Sequence, residues 1–114
     1  MQEESVAVRR RQDVDVVTVS GVVDASNSSS LENALQHAIE SGHKRFVVNL
    51  ARVTFMSSIG WGILLGYMGD ARSRGGSLAV AAMAPELQAS YQMLGLRRVL
   101  PSFETEAQAL QQHS

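Results

Sequence analysis

Polar and apolar positions alternate between two periods along this chain. Asp13-Val14-Asp15-Val16-Val17-Thr18-Val19-Ser20 is β-branched and stops at Gly21, which predicts a strand. Val6–Arg11 predicts a short edge strand before it, and the two should form an antiparallel pair. Leu31, Ala34, Leu35, Ala38 and Ile39 then recur at helical spacing, closed by Gly42. Ser29 and Glu32 stand at capping-box spacing ahead of that stripe. Phe46-Val47-Val48-Asn49-Leu50 is nearly continuous apolar sequence, as a central strand covered on both faces requires. A second helix is predicted from about Ser58 to Arg74, ended by Gly75-Gly76. Leu78–Met83 reads as another buried strand. Pro85 suits the first turn of a third helix whose Leu87, Tyr91 and Leu94 share a face before Gly95. A strand near Val99–Phe103 and a helix from about Thr105 to Gln112 complete the pattern. Helices between strands imply crossovers and a mostly parallel or mixed sheet.

At 114 residues there is room for one domain, 1–114, with fraying expected at about 1–4 and 112–114. Ten basic against eleven acidic residues argue against a general nucleic-acid binder. The absence of cysteine excludes disulfides, cysteine-ligated metal and thiol chemistry. No run reaches ~18 apolar residues, so no membrane span is expected, and the N-terminus lacks a signal-peptide core. A cytoplasmic protein is the simplest expectation.

The second helix carries Gly60, Gly62, Gly66 and Gly69, although each interior glycine costs roughly 1 kcal/mol relative to alanine. On a wheel, Gly60, Ile63, Leu64, Tyr67 and Ala71 form a core stripe. Ser58, Gly62, Leu65, Gly69 and Arg72 face the other way, with Trp61 and Met68 at the margin. That second face is nearly free of charge. It is either packed closely against a neighbour or flattened for a partner, with Trp61 and Leu65 as exposed anchors. Ser57 or Ser58 can cap the helix.

No enzymatic constellation stands out. Gly60-x-Gly62-x-x-x-Gly66 misses the dinucleotide fingerprint and lies inside a helix. His37, His43 and His113 have no ligand spacing and read as surface residues, so no metal or cofactor is expected. Asp13, Asp15 and Asp24 read as solvated strand ends. Arg9-Arg10-Arg11 reads as a charged edge that resists strand-to-strand aggregation.

The stretch Val48–Leu65, with Phe55-Met56-Ser57-Ser58-Ile59-Gly60 at its centre, resembles the core motif of STAS domains, which include the bacterial anti-sigma factor antagonists. Gly21-Val22-Val23-Asp24 and Leu94–Pro101 are similar to flanking parts of that family. The resemblance implies an α/β domain with a four- to five-stranded mixed sheet and about four helices packed mainly on one side. It also implies a non-enzymatic protein of the partner-switching kind, monomeric or weakly dimeric. Such a protein binds an anti-sigma factor that is also a serine kinase, is released by phosphorylation, and is restored by a PP2C-type phosphatase. By position the phosphorylated residue is Ser58, with Ser57 as second choice. The partner-binding surface is then Ser57, Ser58, Trp61, Gly62, Leu65, Gly69 and Arg72. Ser57 stands where many members have Asp, Ile59 where Ser or Ala is usual, and Trp61 where Leu is common. Two other readings remain: an unphosphorylated subunit of a lipid-transport or sensory complex, and a small-molecule or nucleotide sensor.

Overall fold

The structure is a computed structural model and describes residues 5–113, with side chains for 6–112. The expected fraying at 1–4 and 114, and the side chain of His113, lie outside the described residues. Strands β1 (Ser5–Arg11), β2 (Val14–Val23), β3 (Arg45–Met56), β4 (Ser77–Ala81) and β5 (Ser102–Phe103) form one sheet in the order β1-β2-β3-β4-β5. β1 and β2 pair antiparallel, whereas β2, β3, β4 and β5 run parallel. The helices are α1 (Ser29–Glu40), α2 (Ser58–Ser73), α3 (Pro85–Met93) and α4 (Glu106–His113), with a short 3-10 helix at Leu96–Arg98.

The central stretches Val14–Val17, Phe46–Val48 and Leu78–Ala81 are buried on both faces, because the crossover helices cover one side of the sheet and α4 the other. The larger cluster joins Val17, Val19, Phe46, Val48, Leu78 and Val80 to Leu31, Leu35, Trp61, Leu64, Leu87 and Tyr91 of α1, α2 and α3. On the opposite face a smaller cluster joins Val14, Val47 and Ala81 to Ala109 of α4. Asn49, the polar member of the central strand, faces α4. Its Nδ2 donates to Glu106 Oε1 at 2.9 Å, and its Oδ1 accepts from the Ala51 N–H at 2.9 Å.

β3 runs six residues past the apolar run that marked it. Beyond Leu50 its pairing with β2 continues through Met56, with register shifts after Thr18 and Gly21. Those irregularities spoil the alternation that would have marked a strand.

Several local expectations are corrected. Asp15 is not a solvated strand end: it is 1% exposed, and its carboxylate meets Arg10 Nη1 and His43 Nδ1, each at 2.8 Å. Arg10 is Asp15's register partner across β1–β2, and His43 follows α1, so pairing brings charges together that spacing does not. His43 is accordingly half-buried rather than free at the surface. Asp24 is half-buried and keeps its charge for a local reason. Its carboxylate lies below its ordinary pKa because the Ser26 hydroxyl and then the Ser26 N–H donate to it, at 2.6 and 3.0 Å. The first helix starts at Ser29 behind Ser28, which makes no side-chain capping bond, so the capping box is not formed. Leu94 does not share the buried face of Leu87 and Tyr91, because α3 ends at Met93.

Part of the Arg9–Arg11 run is used within the fold: Arg9 Nη2 lies 2.8 Å from Glu106 Oε1. Burial is the largest influence on Glu106 and raises its pKa. The hydrogen bonds from Asn49 and Arg9, with the charges of Arg9 and Arg11, outweigh it and hold the carboxyl below its ordinary value. A carboxylate depressed in the folded state contributes stability that is complete above its unfolded value and lost as pH falls through the folded one. Glu106→Gln is therefore expected to cost about 1 kcal/mol at neutral pH. The gap to wild type should begin to close below about pH 4.3. Urea melts at several pH values measure it; a gap independent of pH would show that only packing of the side chain matters.

Candidate functional site

The end of β3 and the start of α2 meet at Ser57. Its N–H donates to Val23 O at 2.9 Å, which ties this junction to the end of β2. The adjoining β2–α1 loop is itself laced. Asn27 Nδ2 donates to Val22 O at 2.8 Å, and the Asp24 N–H donates to Asn27 Oδ1 at 2.9 Å. Gly60 permits the close approach of α2: a Cβ there would lie 2.6 Å from Met56 Cγ and 3.0 Å from Val23 Cγ1. Ser58 is thus presented by a helix start clamped against the ends of two strands.

The two serines have separate fates. Ser57 occupies the N-cap position with extended backbone, but its hydroxyl makes no capping bond and is buried without a partner. Ser58 opens the helix and is exposed. Only Ser58 offers its hydroxyl to solvent, so Ser57 is a poor second acceptor as folded. The first-turn amides of α2 have no side-chain cap, and an anion beside them meets free N–H groups and the positive end of the helix dipole.

The expected anchor Trp61 is corrected. It is 2% exposed and belongs to the main core, its ring 6.0 Å from that of Tyr91. The Tyr91 hydroxyl donates to Leu100 O, whereas Trp61 Nε1 is buried without a partner. The buried face of α2 is Gly60, Trp61, Leu64, Met68 and Ala71. Ile63 and Tyr67, expected at its centre, are half-buried at its edge. The helix is rotated by roughly 50° from the expected wheel, because the largest side chain seeks the core and the first three turns carry no charge to oppose it. Leu65 is also half-buried, against the core rather than clear of it.

What the outer face does present is small and apolar. A Cβ on Gly62, Gly66 or Gly69 would have nothing within 4 Å, so these glycines flatten an exposed face instead of packing against the sheet. Ile59 and Phe55 flank Ser58 and are 46% and 54% exposed. Neither belongs to the surface expected from the sequence, where Ile59 stands out only as a departure from the family's Ser or Ala. The available signal was their position on either side of the serine pair, at a strand end and in a first turn where a side chain is hard to bury. Arg72 is exposed farther along the helix, with Nη2 3.3 Å from Val99 O. Cavities of about 210 and 200 Å³ lie alongside, between β3 residues 51–56 and α3 residues such as Glu86 and Leu87. Among the described residues no group of three His, Cys, Asp or Glu side chains could hold a metal, and no helix is long and apolar enough to cross a membrane.

This placement makes Leu65→Asp and Ile59→Asp unequal. Leu65→Asp should cost on the order of 2 kcal/mol of stability, because a half-buried leucine becomes a carboxylate. Ile59→Asp should stay within about 0.5 kcal/mol. Thermal melts distinguish them, and an unfolded Ile59→Asp would mean that the patch is not free.

Residues 5–109 match the STAS domain family along their length. The chain belongs to the STAS domain family. It is 27% identical over 106 residues to the anti-sigma F factor antagonist of Paenibacillus polymyxa, covering 92% of this chain and 91% of that protein. The crystal structure of an anti-sigma factor antagonist from Mycobacterium paratuberculosis has a TM-score of 0.89 at 26% identity, over 97% of this chain and 94% of that one. Bacillus SpoIIAA in its phosphorylated form has a TM-score of 0.73 at 22% identity, over 95% of this STAS domain and 98% of that chain, a likeness of fold. The five-stranded mixed sheet with four helices is the expected STAS architecture, with α1, α2 and α3 on one face and α4 on the other.

Proposed function

We propose that this STAS domain is an anti-sigma factor antagonist of the partner-switching type, acting in the cytoplasm. It docks a serine kinase that doubles as an anti-sigma factor through the surface around Ser58, formed by Phe55, Ile59, Gly62, Gly69 and Arg72. Phosphorylation of Ser58 by that kinase ends the complex, and a PP2C-type phosphatase restores it. The domain regulates by binding and is not itself an enzyme.

The observation that carries this reading is the isolation of one exposed serine hydroxyl at the start of α2, beside exposed Phe55 and Ile59. An uncharged hydroxyl is compatible with an apolar contact; a phosphate in the same place is not, because burying it strips its water. The names of its relatives as anti-sigma factor antagonists point the same way. Ser57 in place of the family's Asp favours a second reading, a subunit that binds the same way but is never phosphorylated. Calorimetric titration of the partner kinase with Ser58→Ala and Ser58→Asp separates the two. Affinities at least about 100-fold apart are expected for a switch; equal affinities leave Ser58 a structural residue and favour the fixed subunit.

A further inference from the structure

The segment after α3 departs from the pattern of the rest of the surface. Met93, Leu94 and Val99 are 87%, 53% and 45% exposed, half of the large hydrophobics that the described part of the chain leaves in solvent. They lie within seven residues, folded back on themselves by Gly95, whose φ of 70° turns the chain out of α3 into the 3-10 helix. That turn is why Leu94 leaves the helix face it would otherwise share with Leu87 and Tyr91. Beneath it Leu96 and Leu100 are buried, so the protruding residues stand on an anchored base.

Arginines surround this apolar tip. Arg97 and Arg98 are exposed between Leu96 and Val99, and Arg72 reaches from α2 to the Val99 carbonyl at 3.3 Å. None of the three takes part in an ion pair among the described residues, whose pairs involve Arg9, Arg10 and His43. No acidic residue lies between Glu86 and Glu104. A protein with a net charge of -1 has therefore collected three unpaired cations around three exposed apolar side chains.

We propose that this tip is a contact site for an anionic lipid surface, reversible and centred away from Ser58, with only Arg72 shared between it and the Ser58 face. Charge complementarity names the anion. The shape favours lipid over a protein partner: Met93 projects almost fully into solvent, and a fluid headgroup layer accepts a convex apolar tip where a packed protein surface needs a matching pocket. Arginine heads at its rim can stay among phosphates while Met93, Leu94 and Val99 enter the acyl boundary. Each cation near an anionic membrane contributes about a five-fold gain in partition, equivalent to about 1 kcal/mol, so binding through three is weak and salt-sensitive.

The test is co-sedimentation of the whole chain with vesicles of phosphatidylcholine, with and without one-third phosphatidylglycerol. Partition is expected on the anionic vesicles alone and should fall as salt is raised. The double variant Arg97→Gln/Arg98→Gln should lower it roughly 25-fold. Met93→Ser/Leu94→Ser should also lower it while the circular dichroism stays native. Ser58→Asp should leave it unchanged, which keeps this site distinct from the kinase contact. Absence from the anionic vesicles overturns the proposal, as does full retention by both double variants. If the same variants instead lose the partner kinase and wild type ignores vesicles, the tip is a protein-docking surface and the lipid assignment is wrong.

Discussion

Ser58→Asp should bind the partner kinase roughly 100-fold more weakly than Ser58→Ala, with both variants folded. Ser58 is exposed in the first turn of α2, where no side chain caps the free amides, so a negative charge there suits the isolated domain. Replacement by alanine removes only an exposed hydroxyl that does not cap the helix. In the complex the balance reverses. Phe55 and Ile59 flank the serine, and the Gly62–Gly66–Gly69 face lets a partner come close to the helix backbone. A carboxylate buried in that contact loses water without gaining a cation, at about 3 kcal/mol. A phosphate carries about -1.5 to -2 at pH 7, so the modified wild type should fall further, by up to about 1,000-fold. Calorimetry against the kinase reads the affinities, and melting curves show that the fold is untouched. A destabilised Ser58→Asp would point instead to a structural role at the helix start.

Gly76→Ala should be strongly destabilising. A Cβ at Gly76 would sit 1.8 Å from Lys44 O and 2.6 Å from Lys44 C. Both are backbone atoms, held in place because Lys44 O accepts from the Ser77 N–H at 2.8 Å, while the Gly76 N–H donates to Ala71 O at 2.8 Å. Relief requires pulling β4 away from β3 at the Arg45–Ser77 register pair, where the parallel ladder begins. The expected cost is about 3–5 kcal/mol, or roughly 10–20 °C in melting temperature. Gly62→Ala is the matched control. Nothing lies within 4 Å of its added methyl, so it should stabilise the helix by up to about 1 kcal/mol. Similar melting temperatures for the two variants would mean that the Lys44–Gly76 crossing relaxes freely.

The contrast between these glycines marks the limit of reading the chain in one dimension. All of α2's glycines carry the same intrinsic helix penalty, and helical spacing places them on faces. It does not say that Gly60 is pressed against Met56 and Val23 while Gly62, Gly66 and Gly69 face open space. That depends on how far the helix rolls on the sheet, which the bulk of Trp61 and Met68 settles through packing.

Element order was legible, because strand and helix periods differ and glycine, proline and serine punctuate them. The antiparallel β1–β2 pair followed from a short connection, and the parallel strands from helical crossovers. The serine pair at the head of α2 was legible too, as a polar interruption between an apolar strand and an apolar helix. Long-range pairing was not. Asp15 looked like a solvated end until β1 brought Arg10 opposite it and the turn after α1 brought His43. Which serine faces solvent, which apolar side chains flank it and where Leu94 points were likewise set by contacts between distant segments. Local propensity acts along a few residues of backbone, whereas burial is a property of whichever surfaces meet.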